Sequence, residues 1–204
     1  MIAIVDYGMG NLGSVANMLK RIGSKCTITS DVDVLQSADK VILPGVGAFD
    51  TAIKRIDEMG LRKIITEIAL IKKTPLLGIC LGMQLLMEGS EEGILPGLGL
   101  IKGKAYHFRH HLSNGFKIPH MGWNEVNISY PGLLTQGYQD ELRFYFVHSY
   151  FVRVDNESDS VMKCNYGIDF DASVQHENIF GAQFHPEKSH RFGMQFLRNF
   201  ADLE

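Results

Sequence analysis

Residues 75–86 read PLLGICLGMQLL, two apolar runs around a cysteine with a glycine two residues away on either side. Glycine weakens a strand, so a buried one accepts Gly78 and Gly82 only where neighbouring backbone must come closer than a Cβ allows. PLLGIC (75–80) reads as a fully apolar strand and LGMQLLMEG as the helix after it, with Cys80 at the junction. That is the layout of a nucleophile elbow, a tight strand-to-helix turn that holds its central residue in a strained backbone conformation. A sulfur at the helix N-terminus sits at the positive end of the helix dipole, which favours the thiolate. The Leu81 N–H, a donor that the first helical turn cannot pair, points to where an oxyanion would form on an attacked carbonyl.

Working outward, the first half alternates short β-branched runs with helical patterns. IAIVD (2–6), CTIT (26–29) and KVILPGVG (40–47) read as strands. Between and after them, Leu12, Val15, Leu19 and Ile22 share one helical face, and further helical stretches fall at 48–59 and 61–72. Strands apolar on both faces within a βα alternation predict a parallel sheet covered by helices on both sides. From Gly93 the texture changes. Short alternating strands near 101–108, 124–128, 143–147, 159–165, 172–176 and 179–184 read as antiparallel additions, and SHRFGMQFLRNFADL as a closing amphipathic helix. An open sheet of this kind holds ligands beyond the carboxyl ends of its strands, so DYGMGN, PGVGAF and GICLGMQ converge on one place.

The chain of 204 residues, 45% of them apolar, predicts one domain over 1–204. A formal charge of -3 with scattered basic residues argues against nucleic acid or an anionic membrane as partner. No apolar run reaches the roughly 20 residues that span a bilayer, and MIAIVDYG has no basic leader, so a cytoplasmic location is expected. The three cysteines lack metal-ligand spacing; no disulfide framework, metal or cofactor is expected. Cys26 and Cys164, without an elbow, read as buried structural thiols.

A thiolate nucleophile needs an imidazole within reach and a third group to orient it. Of the eight histidines, His107, His110 and His111 cluster in a polar stretch that reads as a solvated loop. His185 differs, because it ends the strand IFGAQFH and is followed at once by Pro186 and Glu187. Proline stops the strand pairing and stiffens the turn, so His185 and Glu187 can be presented together, the carboxylate accepting the ring N–H.

GICLGMQ together with FHPEKS resembles the class I glutamine amidotransferases over essentially the whole chain. The resemblance implies an α/β, flavodoxin-like fold, with a central, largely parallel mixed sheet flanked by helices and antiparallel additions in its second half. It implies that Cys80, His185 and Glu187 hydrolyse L-glutamine to glutamate and ammonia through a thioester. The oxyanion would be held by Leu81 N–H and the backbone of Val46 or Gly47. Gly82, Gln84, His148, Ser149 and Tyr150 match the segments that contact glutamine, although His148 and Tyr150 read equally as a packed strand-end cluster from the residues alone.

VDYGMGNLGSV, LPGVGAF, Met83 and IPHMGWNEV resemble the glutaminase subunits of imidazole glycerol phosphate synthases, enzymes of histidine biosynthesis. In that family the subunit forms a heterodimer with a (β/α)8-barrel synthase subunit that consumes the ammonia. A dry passage between the sites keeps ammonia unprotonated and therefore nucleophilic. Asn11, Trp123 and Lys188 lie in motifs that face the partner; Trp123 reads equally as interface anchor or core residue. YGIDFDASVQ and KSHRFGMQFL look closer to paralogues of surface-polysaccharide synthesis that feed ammonia to a sugar-amidinating synthase, which leaves the acceptor open. A partner-binding subunit without activity is the reading from another class.

Overall fold

The computed structural model describes residues 1–113, 115–138 and 141–203. Its first half runs β1 (Ile2–Val5), α1 (Leu12–Arg21), β2 (Cys26–Thr29), α2 (Val32–Ser37), β3 (Lys40–Gly45), α3 (Phe49–Glu58), α4 (Leu61–Leu70), β4 (Leu76–Cys80) and α5 (Leu81–Leu86). The second half adds β5 (Gly89–Ser90), β6 (Gly103–His107), β7 (His120–Ile128), β8 (Leu142–His148), β9 (Tyr150–Val154), β10 (Ser160–Asn165), β11 (Asp169–His176), β12 (Ile179–Ala182) and α6 (His190–Ala201).

Five strands form a parallel core in the order β2-β1-β3-β4-β12. The apolar runs of β1, β3, β4 and β12 are almost wholly buried, as strands covered on both faces must be, while the edge strand β2 is only partly buried. β12 corrects the reading of 179–184 as an antiparallel addition. It pairs parallel to β4, with Gly181 opposite Gly78, and antiparallel to β11. A short apolar strand carries no mark of direction in its sequence; the hairpin with β11 and the space beside β4 decide it. Beyond β11 the sheet continues antiparallel through β10, β7 and β8, while β6 and β9 form a side ribbon that β9 joins to β11. Strand β7 starts at His120, earlier than its alternation predicted, and β9 and the short helix α2 come in addition to the predicted elements. Asp31 starts α2 by accepting from the amides of Asp33 and Val34 at 2.9 and 3.0 Å.

Helices on both faces divide the core in two. On one side α1 and α6 cover an aromatic cluster in which Phe144 and Phe184 stack with centroids 3.8 Å apart. On the other, Phe49, Ile53, Ile65 and Met83 from α3, α4 and α5 pack on Val5 and Leu43. Both layers leave the C-terminal ends of β3, β4 and β12 as neighbours at one rim.

Candidate active site

At that rim β4 ends in the elbow. Cys80 adopts φ 55°, ψ -109°, a left-handed conformation that is strained for a residue with a Cβ. The two glycines make the bend possible. A Cβ on Gly82 would lie 1.8 Å from the Leu43 carbonyl oxygen of β3, and one on Gly78 would meet the Gly82 backbone at 2.6 Å. Gly78 thus admits the helix and Gly82 seats it on β3, so the sulfur is lifted above the sheet edge on the first turn of α5.

The neighbouring strand delivers the base. After β12 the chain reaches His185, whose N–H donates to the Tyr145 carbonyl of β8 at 2.9 Å. Ser189, fully buried, donates to the His185 carbonyl at 2.7 Å and accepts from Tyr145 N–H at 3.0 Å, clamping the H-P-E turn to β8. Inside this clamp His185 Nδ1 and Glu187 Oε1 are 2.8 Å apart, with both side chains almost completely buried. A carboxylate can only accept, so Nδ1 carries the proton and Nε2 faces outward. Nε2 is buried and makes no hydrogen bond of ordinary geometry. Burial pushes the imidazole's pKa down, but the Cys80 sulfur and then Glu187 push it up and prevail. An imidazolium beside a sulfur stabilises the thiolate in turn.

Cys80 and His185 open into one cavity of about 370 Å³, a volume within the range of small-molecule sites. Val46, Gly47, Leu81, Gln84, His148, Ser149, Tyr150 and Lys188 line it as well. Of the residues expected to contact glutamine, only Gly82 lies outside this lining, because it is turned against β3. The PGVG turn forms one wall with Gly47 at φ 108° and Val46 42% exposed.

Two further contributors escaped the sequence reading. Glu92 lines the cavity and accepts from Phe49 N–H at 2.9 Å, which ties it to the start of α3. Its pKa is raised, first by burial and then by Asp50, against the Phe49 hydrogen bond. Within a glycine-flanked acidic turn nothing marks it as different from a solvated carboxylate. His120 stacks between Phe146 and Tyr166 and meets His148 through a 2.9 Å contact from its Nδ1 to His148 Nε2. His148 Nδ1 is 2.7 Å from the Tyr150 carbonyl, which can only accept. The proton order follows: His148 donates to Tyr150, His120 donates to His148, and His120 Nε2 accepts from Asn124 at 3.2 Å. Both rings are therefore neutral. Burial lowers their pKa values to about 4 for His120 and about 3 for His148.

Trp123 is 41% exposed on β7 and stacks on His190, so it is no core residue. Met121 beside it is 62% exposed. Lys188 reaches over the Tyr145 ring, and Asn11 precedes α1 without capping its amides. Among the described residues no cluster of His, Cys, Asp and Glu could hold a metal, and no helix is long and apolar enough to cross a membrane.

A cysteine sulfur on a strained elbow, an imidazole held by a carboxylate and a cavity between them suit acyl transfer from an amide. The family glutamine amidotransferase class-I matches residues 3–203. The chain belongs to the class-I glutamine amidotransferases. An "Imidazole glycerol phosphate synthase subunit HisH 2" from Methanococcus maripaludis is 50% identical over 200 residues, covering 98% of both chains. Proteins carrying that name in Pseudomonas aeruginosa and, as subunit HisH, in Bdellovibrio bacteriovorus are each 46% identical over the full length of both chains. Among solved structures, a glutamine amidotransferase superposes with a TM-score of 0.75 at 18% identity, covering all of both chains. PurLQS from Thermotoga maritima gives 0.75 at 19% identity, with 98% of this chain and 96% of that chain covered. These last two likenesses establish the amidotransferase fold.

Proposed function

We propose that this chain is the glutaminase subunit of an imidazole glycerol phosphate synthase, acting in the cytoplasm as one domain beside a (β/α)8-barrel synthase subunit. The observation that carries the chemistry is the Cys80 elbow sharing one cavity with His185, whose ring is 2.8 Å from Glu187. Similarity to HisH-named relatives over the whole chain supports the pathway.

The Cys80 thiolate attacks the side-chain amide carbon of glutamine, and the oxyanion is met by Leu81 N–H and by an N–H of the Val46–Gly47 turn. As the C–N bond breaks, His185 gives its proton to the departing nitrogen, leaving ammonia and a γ-glutamyl thioester. His185, now neutral, takes a proton from water, the hydroxide adds to the thioester carbon, and the C–S bond breaks to give glutamate and the thiolate. Glu187 holds the ring in one tautomer throughout and stabilises its charged form. Glu92 offers a carboxylate to the ammonium of the amino acid, while Gln84, Ser149 and Tyr150 shape the rest of the pocket. Asn11, Met121, Trp123 and Lys188 form the partner face, where apolar exposure is otherwise costly.

The test uses the complex with the synthase subunit. Cys80→Ala abolishes imidazole glycerol phosphate formation from glutamine, while synthesis from added ammonium salt continues. A parallel loss of both activities would refute the division of labour between the subunits. Product formation by a sugar-amidinating synthase instead would reassign the pathway and leave the glutaminase chemistry standing.

A further inference from the structure

Gln183 is a buried polar side chain beside the reacting sulfur that the mechanism above leaves without work. It is completely buried in the apolar stretch 179–184, where an aliphatic residue would pack at less desolvation cost. Its partners can be assigned without ambiguity. The Tyr150 carbonyl only accepts, so the Gln84 atom 3.2 Å from it is the amide nitrogen. That same nitrogen lies 3.1 Å from the Gln183 amide, whose facing atom must then be its oxygen. The other end of Gln183 is therefore the N–H₂ group, and it lies 3.8 Å from the Cys80 sulfur, within hydrogen-bond reach of a large, soft acceptor.

We propose that Gln183 is a further member of the catalytic centre: its amide N–H stabilises the anionic sulfur of Cys80, and its carbonyl locks Gln84 with the Gln84 oxygen free for the substrate. The proposal rests on the glutaminase reading and specifies how the sulfur is held through a full cycle. His185 can support the thiolate only while protonated. During thioester hydrolysis the ring is taking a proton from water just as the sulfur must leave as an anion. A neutral amide dipole keeps its orientation whatever the ring carries, so it acts at the step where the imidazolium is least available. The same hydrogen-bond chain continues from Tyr150 through His148 and His120 to Asn124 on β7, the strand that bears Trp123. That chain anchors the Gln84 end of the bridge through the cavity wall.

The experiment measures alkylation of Cys80 by iodoacetamide across pH, localised by mass spectrometry, for the wild type, Gln183→Met and Gln183→Glu. Circular dichroism and melting temperature verify the fold, and glutamine kinetics are measured in the complex. Methionine keeps the length and packing but not the donor; glutamate keeps the shape, removes the donor and adds negative charge. The expected result is a Cys80 alkylation curve displaced to higher pH in both folded variants, further for glutamate. A drop in kcat of roughly 10- to 100-fold accompanies it, the loss of a hydrogen bond to a charged group. A folded Gln183→Met or Gln183→Glu protein with the wild-type alkylation curve overturns the role of Gln183, and the glutaminase reading survives. Wild-type Cys80 no more reactive than Cys26 and Cys164 overturns both.

Discussion

Two turns face the same cavity and are built in opposite ways. The elbow at Cys80 is wedged: Gly82 has a backbone oxygen 1.8 Å from where a Cβ would stand, and the strained φ of Cys80 is held by packing on β3. The PGVG turn is anchored at its base, where Tyr7 donates to the Pro44 carbonyl at 2.8 Å, but its tip is open. Val46 is exposed, and a Cβ on Gly47 would meet only the flexible Met9 methyl at 2.8 Å. The cysteine is thus fixed before substrate arrives, whereas the turn proposed to supply the second oxyanion donor has an open tip whose glycine leaves its peptides free to reorient.

The harshest way to break the contrast is Gly82→Ala. The new methyl collides with the Leu43 carbonyl of β3, and the variant loses about 3 kcal/mol, a drop in melting temperature of about 10 °C. A melting temperature within a degree or two of wild type would mean that the elbow is as compliant as the turn.

A second handle is the neutral histidine pair that supports the cavity wall. Both rings have folded-state pKa values below the ordinary histidine value of 6.5, near 4 and near 3. Their contribution is present above pH 6.5 and is lost as pH falls, because the unfolded chain then binds protons that the folded one refuses. His120→Phe keeps the stack between Phe146 and Tyr166 but leaves His148 Nε2 without a donor. It costs about 1–3 kcal/mol at pH 7 and makes stability fall less steeply between pH 6.5 and 4, measurable by urea unfolding at several pH values. An unchanged slope would show that the rings are not neutral in the folded protein. His185 has the opposite sign: its raised pKa stabilises most at low pH, and that contribution fades as pH rises above 6.5.

The mildest change in stability comes from Gly47→Ala, roughly 1 kcal/mol of backbone strain at φ 108°. Its activity effect is far larger, about 100-fold in kcat for glutamine, if the turn supplies an oxyanion donor. Unaltered kcat in a folded variant would leave Leu81 as the sole donor and remove the reason for an adaptable turn.

These differences mirror how much could be read from the residues alone. The elbow was legible because glycine in an apolar strand is a local anomaly with a local cause, and H-P-E because proline ends a strand where it stands. The parallel β4–β12 pairing was not, since strand direction depends on where distant β11 leaves room. β9 was missed because Tyr150–Val154 follows β8 after a single residue and merges with it in the pattern. Glu92 and His120 acquire their environments from neighbours far along the chain, Phe49 in one case and Phe146 with Tyr166 in the other. Gln183 did leave a signal: a lone amide in an otherwise apolar stretch must find partners, and the fold decides that Cys80 is one of them.

The adjacency of β4 and β12 has a practical meaning for protein engineering. The chain departs from the parallel platform after α5 and rejoins it directly beside the point of departure, so everything between Gly89 and His176 is a detour inserted between sulfur and imidazole. Only the parts of that detour away from β8 and the start of β9 can be swapped or resized, because Tyr145 clamps the His185 turn and the Tyr150 carbonyl holds Gln84. The surface offered to other molecules would then vary, while sulfur and imidazole keep their places on neighbouring strands.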